Sequence, residues 1–161
     1  MLFRSKNISK VTELSPILAR LVEKMSGRLR NASYKASGIH LAIIYKNGSW
    51  WHKGRLLGKA YFDARDFYKS AFRLLLEADP RSPVLNIAIT AFALSKDDNL
   101  QLGLFENEIK KKNLIDNIDK INNRWGDFTI GSAKSFGGAK VVMDRIAFGG
   151  IKELEEFSLN P

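Results

Sequence analysis

The chain has 161 residues, of which 45% are hydrophobic and 27% charged, the composition of a single globular domain with or without a tail. It contains no cysteine, which excludes disulfides, thiolate zinc sites and cysteine nucleophiles. No apolar run approaches the ~18 residues of a membrane span, and the first residues lack the apolar run of a secretory signal. We therefore expect a cytoplasmic protein with no membrane partner.

The positive charge is unevenly distributed. The net charge is +9; residues 1–60 carry 12 basic and 2 acidic side chains, whereas residues 61–161 carry 14 basic and 15 acidic ones. An excess of one sign in one part of the chain predicts a surface that binds a polyanion. The alternative is a charge excess that serves only solubility.

The first elements are a strand and a helix. Residues 2–8 have the composition of a short strand. A helix is predicted to follow, with Ser15 as N-cap and Pro16 as its first helical residue, ending near Asn31. Its apolar residues recur every three or four positions, as on one face of a helix, at Leu14, Leu18, Leu21, Met25 and Leu29.

Residues 36–58 are predicted to form a β-hairpin, because Asn47-Gly48 is typical of a two-residue turn. That turn would pair Tyr45 with Trp50 and Ala42 with Lys53. One face would then be apolar, with Ile39, Leu41, Ile43, Tyr45, Trp50, His52 and Leu56. The other would be basic, with His40, Ala42, Ile44, Lys46, Ser49, Trp51, Lys53 and Arg55. A shift of one residue in register would undo this division.

The remaining elements complete an α+β fold. Asp63 is predicted to cap a second helix that Asp79-Pro80 ends, and residues 83–94 to form a strand. The order strand-helix-strand-strand-helix-strand predicts a four-stranded antiparallel sheet with two helices on one face, which leaves the basic face free. A polar linker follows, then a third helix over residues 110–125, with Leu114, Ile118, Ile121 and Trp125 at heptad-like spacing, and a tail.

No constellation of catalytic or metal-binding residues is evident. The predicted register places His40 and His52 on opposite faces, where they cannot share a metal ion. Residues 1–60 contain only Glu13 and Glu23 as acids, so the basic surface lacks the clustered carboxylates of metal-assisted phosphoryl transfer. We predict no catalytic residue, metal or cofactor in this chain.

Three local patterns resemble one known family. Residues 4–8 read Arg-Ser-Lys-Asn-Ile, similar to a basic first strand; residues 101–105 read Gln-Leu-Gly-Leu-Phe, matching the sliding-clamp peptide Gln-Leu-x-Leu-Phe; residues 114–126 resemble the helix that often follows it. In this order, over residues 2–135, they resemble the little-finger domain of Y-family translesion DNA polymerases of the DNA polymerase IV (DinB) type. His52-Lys53 departs from the Thr-Arg that the family often has.

The resemblance implies a domain organisation and a function. Residues 1–95 would form the little-finger DNA-binding domain, residues 96–106 a linker with the clamp-binding peptide, and residues 107–161 a C-terminal helix and tail. The domain would hold the phosphates of duplex or primer-template DNA and ignore base identity. Nothing resembles the palm domain that carries the family's catalytic carboxylates. We therefore expect a C-terminal fragment that does not polymerise DNA by itself, and magnesium only in the absent catalytic core.

The resemblance and the basic face together nominate contact residues. The predicted phosphate contacts are Arg4, Lys6, Lys35, Lys46, Lys53 and Arg55. Trp51 would pack on sugar or cover Ile44. In the clamp peptide, Gln101 would make polar contacts, and the apolar anchors would be Leu102, Leu104 and Phe105; alternatively, Leu104 and Phe105 pack back on the domain. The expected partners are DNA, the processivity clamp and the catalytic core of the same polymerase.

Two other functions fit the same elements. An RNA-binding module can have this order of strands and helices, with bases stacked on aromatic residues of the central strands. A clamp adaptor without a polymerase partner would use the peptide alone. A small enzyme within residues 127–161 has no supporting group of residues.

Overall fold

The computed structural model describes residues 2–78, 82–96 and 106–136, and all side chains within these ranges except those of residues 2–7 and 106–108. The elements, in chain order, are β1 (Leu2–Ile8), α1 (Val11–Asn31), β2 (Tyr34–Tyr45), β3 (Trp50–Tyr61), α2 (Ala64–Glu77), β4 (Val84–Lys96), α3 (Glu106–Trp125) and the four-residue α4 (Ala133–Phe136). No helix in the described ranges is both long and apolar enough to cross a membrane.

The strands form one antiparallel sheet in the order β1-β4-β2-β3. Three strands of 12 or 13 residues are flanked by the shorter β1, so that β1 and β3 are the two edges. The α+β class, the antiparallel pairing and the order of strands and helices agree with the sequence prediction.

Helices α1 and α2 pack on one face of this sheet. The odd-numbered residues of β2 from Ile39 to Tyr45 are buried with the apolar faces of both helices, including Leu18 of α1 and Phe67 of α2. Each fully buried Leu, Ile or Phe side chain contributes roughly 1.5–3 kcal/mol relative to an exposed one. The alternation read from β2 therefore located the core correctly.

Helix α1 begins one turn earlier than predicted. Its N-cap is Lys10, whose carbonyl accepts hydrogen bonds from the N–H groups of Glu13 and Leu14. Pro16 lies inside the helix and costs the bond that its missing N–H would donate. The Ser15 hydroxyl lies 2.7 Å from that of Tyr68 in α2 and so ties the two helices together instead of capping one. Burial of Leu14 against the core outweighs the local start signal at Ser15-Pro16.

The hairpin turn has three residues, not two. The Tyr45 N–H donates to the Ser49 carbonyl at 2.9 Å, and the Gly48 N–H donates to the Tyr45 carbonyl at 3.1 Å. A type I′ turn needs positive φ at both central residues, but only Gly48 has it, at +82°; Asn47 does not. The loop is therefore a type I turn closed by a left-handed glycine, with the Asn47 side-chain oxygen accepting from the Ser49 N–H at 3.0 Å.

This turn shifts the register by one residue, and the predicted pairing was wrong. Ile44 pairs with Trp50 and Leu41 with Lys53. Because successive side chains alternate between faces, every β3 side chain in the regularly paired part changes sides. Trp51, Lys53 and Arg55 lie on the helix side, and Trp51 packs against the core.

The opposite face is uncovered by helices, and we call it the open face. In the regularly paired part of β2, β3 and β4 it comprises Gly38, His40, Ala42, Ile44, Trp50, His52, Gly54, Leu56, Asn86, Ala88, Thr90 and Phe92. None of these residues is Lys or Arg. The prediction of a basic free face was therefore wrong for this part of the sheet.

Helix α2 is capped as predicted, since the Asp63 carboxylate accepts from the Arg65 N–H at 3.0 Å. The helix ends at Glu77. Asp79 and Pro80, predicted to end it, lie outside the described residues.

Helix α3 lies against the outer side of α1 and α2. The Arg30 guanidinium makes two hydrogen bonds, of 2.6 and 2.7 Å, to the carboxylate of Asp119. The Lys111 ammonium lies 2.7 Å from a carboxylate oxygen of Asp63 and of Asp66. A cavity of about 880 Å³ remains between α1, α2, α3 and the segment that follows. Few contacts therefore hold α3 in place.

These ion pairs determine which side of α3 faces α1 and α2. The predicted stripe is largely outside: Leu114, Ile121 and Trp125 are 61%, 36% and 69% exposed, whereas Ile115 is buried. The heptad-like spacing predicted the helix, but Asp119 and Lys111 decide its rotation, because both charged groups must reach partners on α1 and α2.

Candidate nucleic-acid interface

Two histidines and a tryptophan meet on the open face. His40 Nε2 and His52 Nδ1 are 3.1 Å apart, so one ring donates a hydrogen bond to the other. Trp50 stacks on His52 with ring centroids 4.9 Å apart. The sequence prediction that the two histidines lie on opposite faces was wrong, because it depended on the two-residue turn. No group of three or more His, Cys, Asp or Glu side chains that could hold a metal occurs within the described ranges.

Burial lowers the pKa of His40, and the nearby His52 lowers it further. His40 therefore binds a proton less readily than a free imidazole does.

The open face also carries an aromatic ring across its centre. A Cβ added to Gly38 would lie 2.4 Å from the ring of Phe92, and one added to Gly54 would lie 3.7 Å from it. These two glycines on neighbouring strands make room for the Phe92 ring. Trp50 and Leu56 are 68% and 71% exposed beside it. The open face thus offers apolar and aromatic surface to a ligand.

The two cations nominated on β3 meet at the edge of the sheet. The Lys53 ammonium lies 2.8 Å from Glu77 Oε2, and an Arg55 guanidinium nitrogen lies 2.6 Å from Glu77 Oε1. The hydrogen bond from Lys53, supported by the one from Arg55 and by both positive charges, lowers the pKa of Glu77. This arrangement, which we call the edge cluster, is partly exposed to solvent because β3 has no strand beyond it.

The other nominated cations lie at separate places in the domain. Lys46 lies exposed in the hairpin turn, where its backbone N–H donates to the Pro83 carbonyl at 2.9 Å. The Lys35 ammonium is 5.8 Å from the centre of the Phe62 ring. Arg4 pairs with Asn86 across β1 and β4, and Lys6 follows in β1, at the edge of the sheet away from β3.

The structure contradicts one prediction for Trp51 and does not describe the clamp peptide. Trp51 cannot cover Ile44 as suggested, because the two side chains lie on opposite faces. The clamp residues Gln101, Leu102, Leu104 and Phe105 lie outside the described residues.

Sequence reasoning missed Trp50, His52 and Phe92 on the open face, and Glu77 at the edge. The glycine in Asn47-Gly48 is compatible with a three-residue loop as well, and testing both loops would have exposed the alternative faces. Gly38 and Gly54 inside strands also indicated a close approach by another group. No local pattern points to Glu77, because its partners are more than twenty residues away.

Comparisons with known proteins agree with the resemblance described above. Residues 3–104 match the impB/mucB/samB family C-terminal domain. The chain is 29% identical over 138 residues to DNA polymerase IV 2 of Bacillus subtilis (strain 168), covering 84% of this chain and 34% of the relative. It is 28% identical over 126 residues to DNA polymerase IV of Bacillus anthracis, covering 76% and 31%.

A solved structure described as an insertion ternary complex of Dbh DNA polymerase gives a TM-score of 0.46 and 19% identity, over 55% of this chain and 26% of that chain. The chain spans about a third of the length of the curated relatives it matches.

Proposed function

Because this chain belongs to the impB/mucB/samB family as its C-terminal domain, we propose that it binds the backbone of primer-template DNA without reading its sequence, within a Y-family polymerase that bypasses lesions. The family match over residues 3–104 is the observation that carries this proposal. The excess of positive charge in residues 1–60 supports it, since phosphate contacts dominate affinity in such binding.

The geometry suggests how the duplex lies on the domain. In this arrangement the duplex lies on the open face, with Arg4 and Lys6 in the edge strand β1 and Lys46 in the turn. Lys53 and Arg55 lie on the helix side of the other edge strand, β3, so a phosphate would reach them where the DNA backbone passes around that edge. Phosphates would meet the cations at the two edges, while the duplex lies above the sheet. Contacts to phosphates fix position without reading bases, which suits a domain that must accept any sequence.

The corrected register changes the aromatic contact. Trp50 lies on the open face and is 68% exposed, whereas Trp51 packs against the core. We therefore place Trp50, with His52 stacked beneath it, against the sugars of the DNA. Lys35 is a further candidate for a phosphate contact.

The catalytic work belongs to the rest of the polymerase in this proposal. This chain would contribute no catalytic residue, metal or cofactor, and the catalytic core would bring its own magnesium. The intact enzyme would extend primers past damage while this domain holds the duplex.

We further propose that residues 101–105 recruit the polymerase to the processivity clamp. The support is the sequence alone: Gln101 with the apolar Leu102, Leu104 and Phe105 matches the clamp peptide at every specified position. Phe105→Ala should abolish capture of the chain by immobilised clamp, because a buried aromatic anchor dominates such small interfaces. Equal capture of both proteins would refute clamp recruitment by this peptide.

Fluorescence anisotropy with labelled primer-template DNA tests the DNA proposal. Affinity should fall with salt, and each phosphate contact should contribute about −0.9 to the slope of log affinity against log salt. The double variant Lys53→Ala/Arg55→Ala should reduce the slope by roughly two, equally on unrelated sequences. An unchanged slope would refute the edge contacts, and no binding by the wild type at low salt would refute the function.

An RNA-binding module remains the second candidate, because Trp50, His52 and Phe92 place aromatic rings on the open face. Such modules stack single-stranded bases on aromatic side chains. Tighter binding of single-stranded RNA than of duplex DNA, lost in Trp50→Ala, would favour this function over the polymerase domain.

A further inference from the structure

The edge cluster resembles a phosphate-binding site in which a carboxylate takes the place of the phosphate. Lys53 and Arg55 lie two residues apart on one face of β3, so their charged ends converge. Each of them bonds a different oxygen of one carboxylate, that of Glu77. A phosphodiester also presents two charged oxygens to paired cations, and Arg and Lys are its usual partners in proteins. The carboxylate therefore occupies the position that a backbone phosphate would need.

The position of Glu77 at the end of α2 does not stabilise its negative charge. It is the last residue of α2, where the partial negative charge of the helix end disfavours a carboxylate. No basic residue stands in the last turn of that helix to offset it. The two β3 cations are the partners that the structure shows for its carboxylate. The negative charge of Glu77 is therefore stabilised by the cations of β3 and not by its own helix.

The edge cluster is open enough for exchange. The side chains of Lys53, Arg55 and Glu77 are 53%, 37% and 35% exposed, and β3 is the free edge of the sheet. Exposed ion pairs of this kind contribute little stability and are screened by salt. A polyanion that brings many phosphates at once can therefore displace one carboxylate.

We propose that Glu77 is a built-in competitor for DNA: its carboxylate closes the Lys53–Arg55 phosphate site in the free protein, and a backbone phosphate replaces it on binding. This inference rests on the proposed DNA-binding function and adds a regulatory residue to it. The carboxylate weakens binding to any single phosphate and so favours a DNA contact that is released easily, as a polymerase moving along its template needs.

The variant Glu77→Gln removes the competing charge while keeping the shape of the side chain. We expect it to bind primer-template DNA about threefold to tenfold more tightly at low salt, the range that two exposed ion pairs can oppose. The matched control is Glu13→Gln, which makes the same charge change at an exposed site on α1, outside the edge cluster. Its effect should stay below about twofold, because distant exposed charges are screened.

The same substitution in the Lys53→Ala/Arg55→Ala background isolates the mechanism. Once the two cations are gone, Glu77→Gln should change affinity no more than Glu13→Gln does. A gain that persists in this background would show that the effect is one of overall charge, and it would overturn the proposal.

The remaining outcomes separate this inference from the function on which it rests. Wild-type binding with an unchanged or weaker affinity in Glu77→Gln would overturn the competitor role and leave DNA binding intact; weaker binding would mean that Glu77 orients the cations. Absence of binding by the wild type and by Glu77→Gln would refute the proposed function and this inference together. Thermal unfolding of each variant, measured alongside, confirms that the compared proteins are folded.

Discussion

The Arg30–Asp119 ion pair is a main contact between α3 and α1, and Asp119→Asn should weaken the docking of α3. The Arg30–Asp119 pair is bidentate at 2.6 and 2.7 Å, and the two side chains are only 15% and 18% exposed. Breaking a fully buried pair by removing one partner costs about 3–5 kcal/mol. The residual exposure and the remaining bond from Arg30 to the Phe62 carbonyl, at 2.9 Å, reduce this to about 2–3 kcal/mol.

Hydrogen exchange resolved by segment measures that cost directly. Because the ion pairs that dock α3 are with α1 and with the start of α2, the helix can open without disturbing the sheet. A loss of 2–3 kcal/mol corresponds to about a 30- to 150-fold fall in protection. We expect this fall in residues 106–125, up to the full protection that docking confers, while β2 and β4 keep theirs.

Asp116→Asn is the matched control, since it removes the same charge from an exposed position of the same helix. Equal protection of α3 in the two variants would refute the reasoning, and so would an equal loss of protection in β2 and β4. Replacing both partners, as Arg30→Met/Asp119→Leu, should restore part of the docking, because no unpaired charge is then left in the interface.

Two further predictions concern the open face. Gly38→Ala should lower the free energy of unfolding by about 1–3 kcal/mol in urea denaturation, because its Cβ would lie 2.4 Å from the Phe92 ring; Phe92→Ala in the same chain should recover part of this loss, and full additivity would contradict the close contact. Since burial and His52 lower the pKa of His40 below its ordinary value of about 6.5, the folded state binds its proton less readily than the unfolded chain does. The contribution of neutral His40 to the free energy of unfolding should therefore be complete above pH 6.5 and be lost as the pH falls through the folded pKa. The variant His40→Gln should show a smaller decrease over this range, and identical pH profiles of the two proteins would contradict the prediction.

The interior of the domain could be predicted because its signals are local. The alternation of Ile39, Leu41 and Ile43 marks the buried side of β2, and the carboxylate of Asp63 caps α2 next to it in the chain. Hydrophobic periodicity and helix capping involve residues a few positions apart, so both can be recognised in the sequence.

The candidate interface was harder to predict because it depends on the register of the hairpin. A change of one residue in the length of the turn exchanges the two faces of β3. Of the two residues predicted to form the turn, Gly48 adopts positive φ and Asn47 does not, so the turn takes three residues and every β3 side chain in the paired segment changes face. Lys53 and Arg55 then lie opposite to the predicted side. A strand has a period of two, so an error of one residue at the turn carries through the whole strand.

The sequence by itself determined the family, the order of elements and the buried side of β2, because each depends on residue types and short spacings. Only the tertiary structure decided what the surface offers: the His40–His52 pair on the open face, the closure of the Lys53–Arg55 site by Glu77, and the rotation of α3 about Asp119. These contacts join residues that are 12 to 89 positions apart. Their geometry follows from strand register and helix packing, which no local pattern encodes.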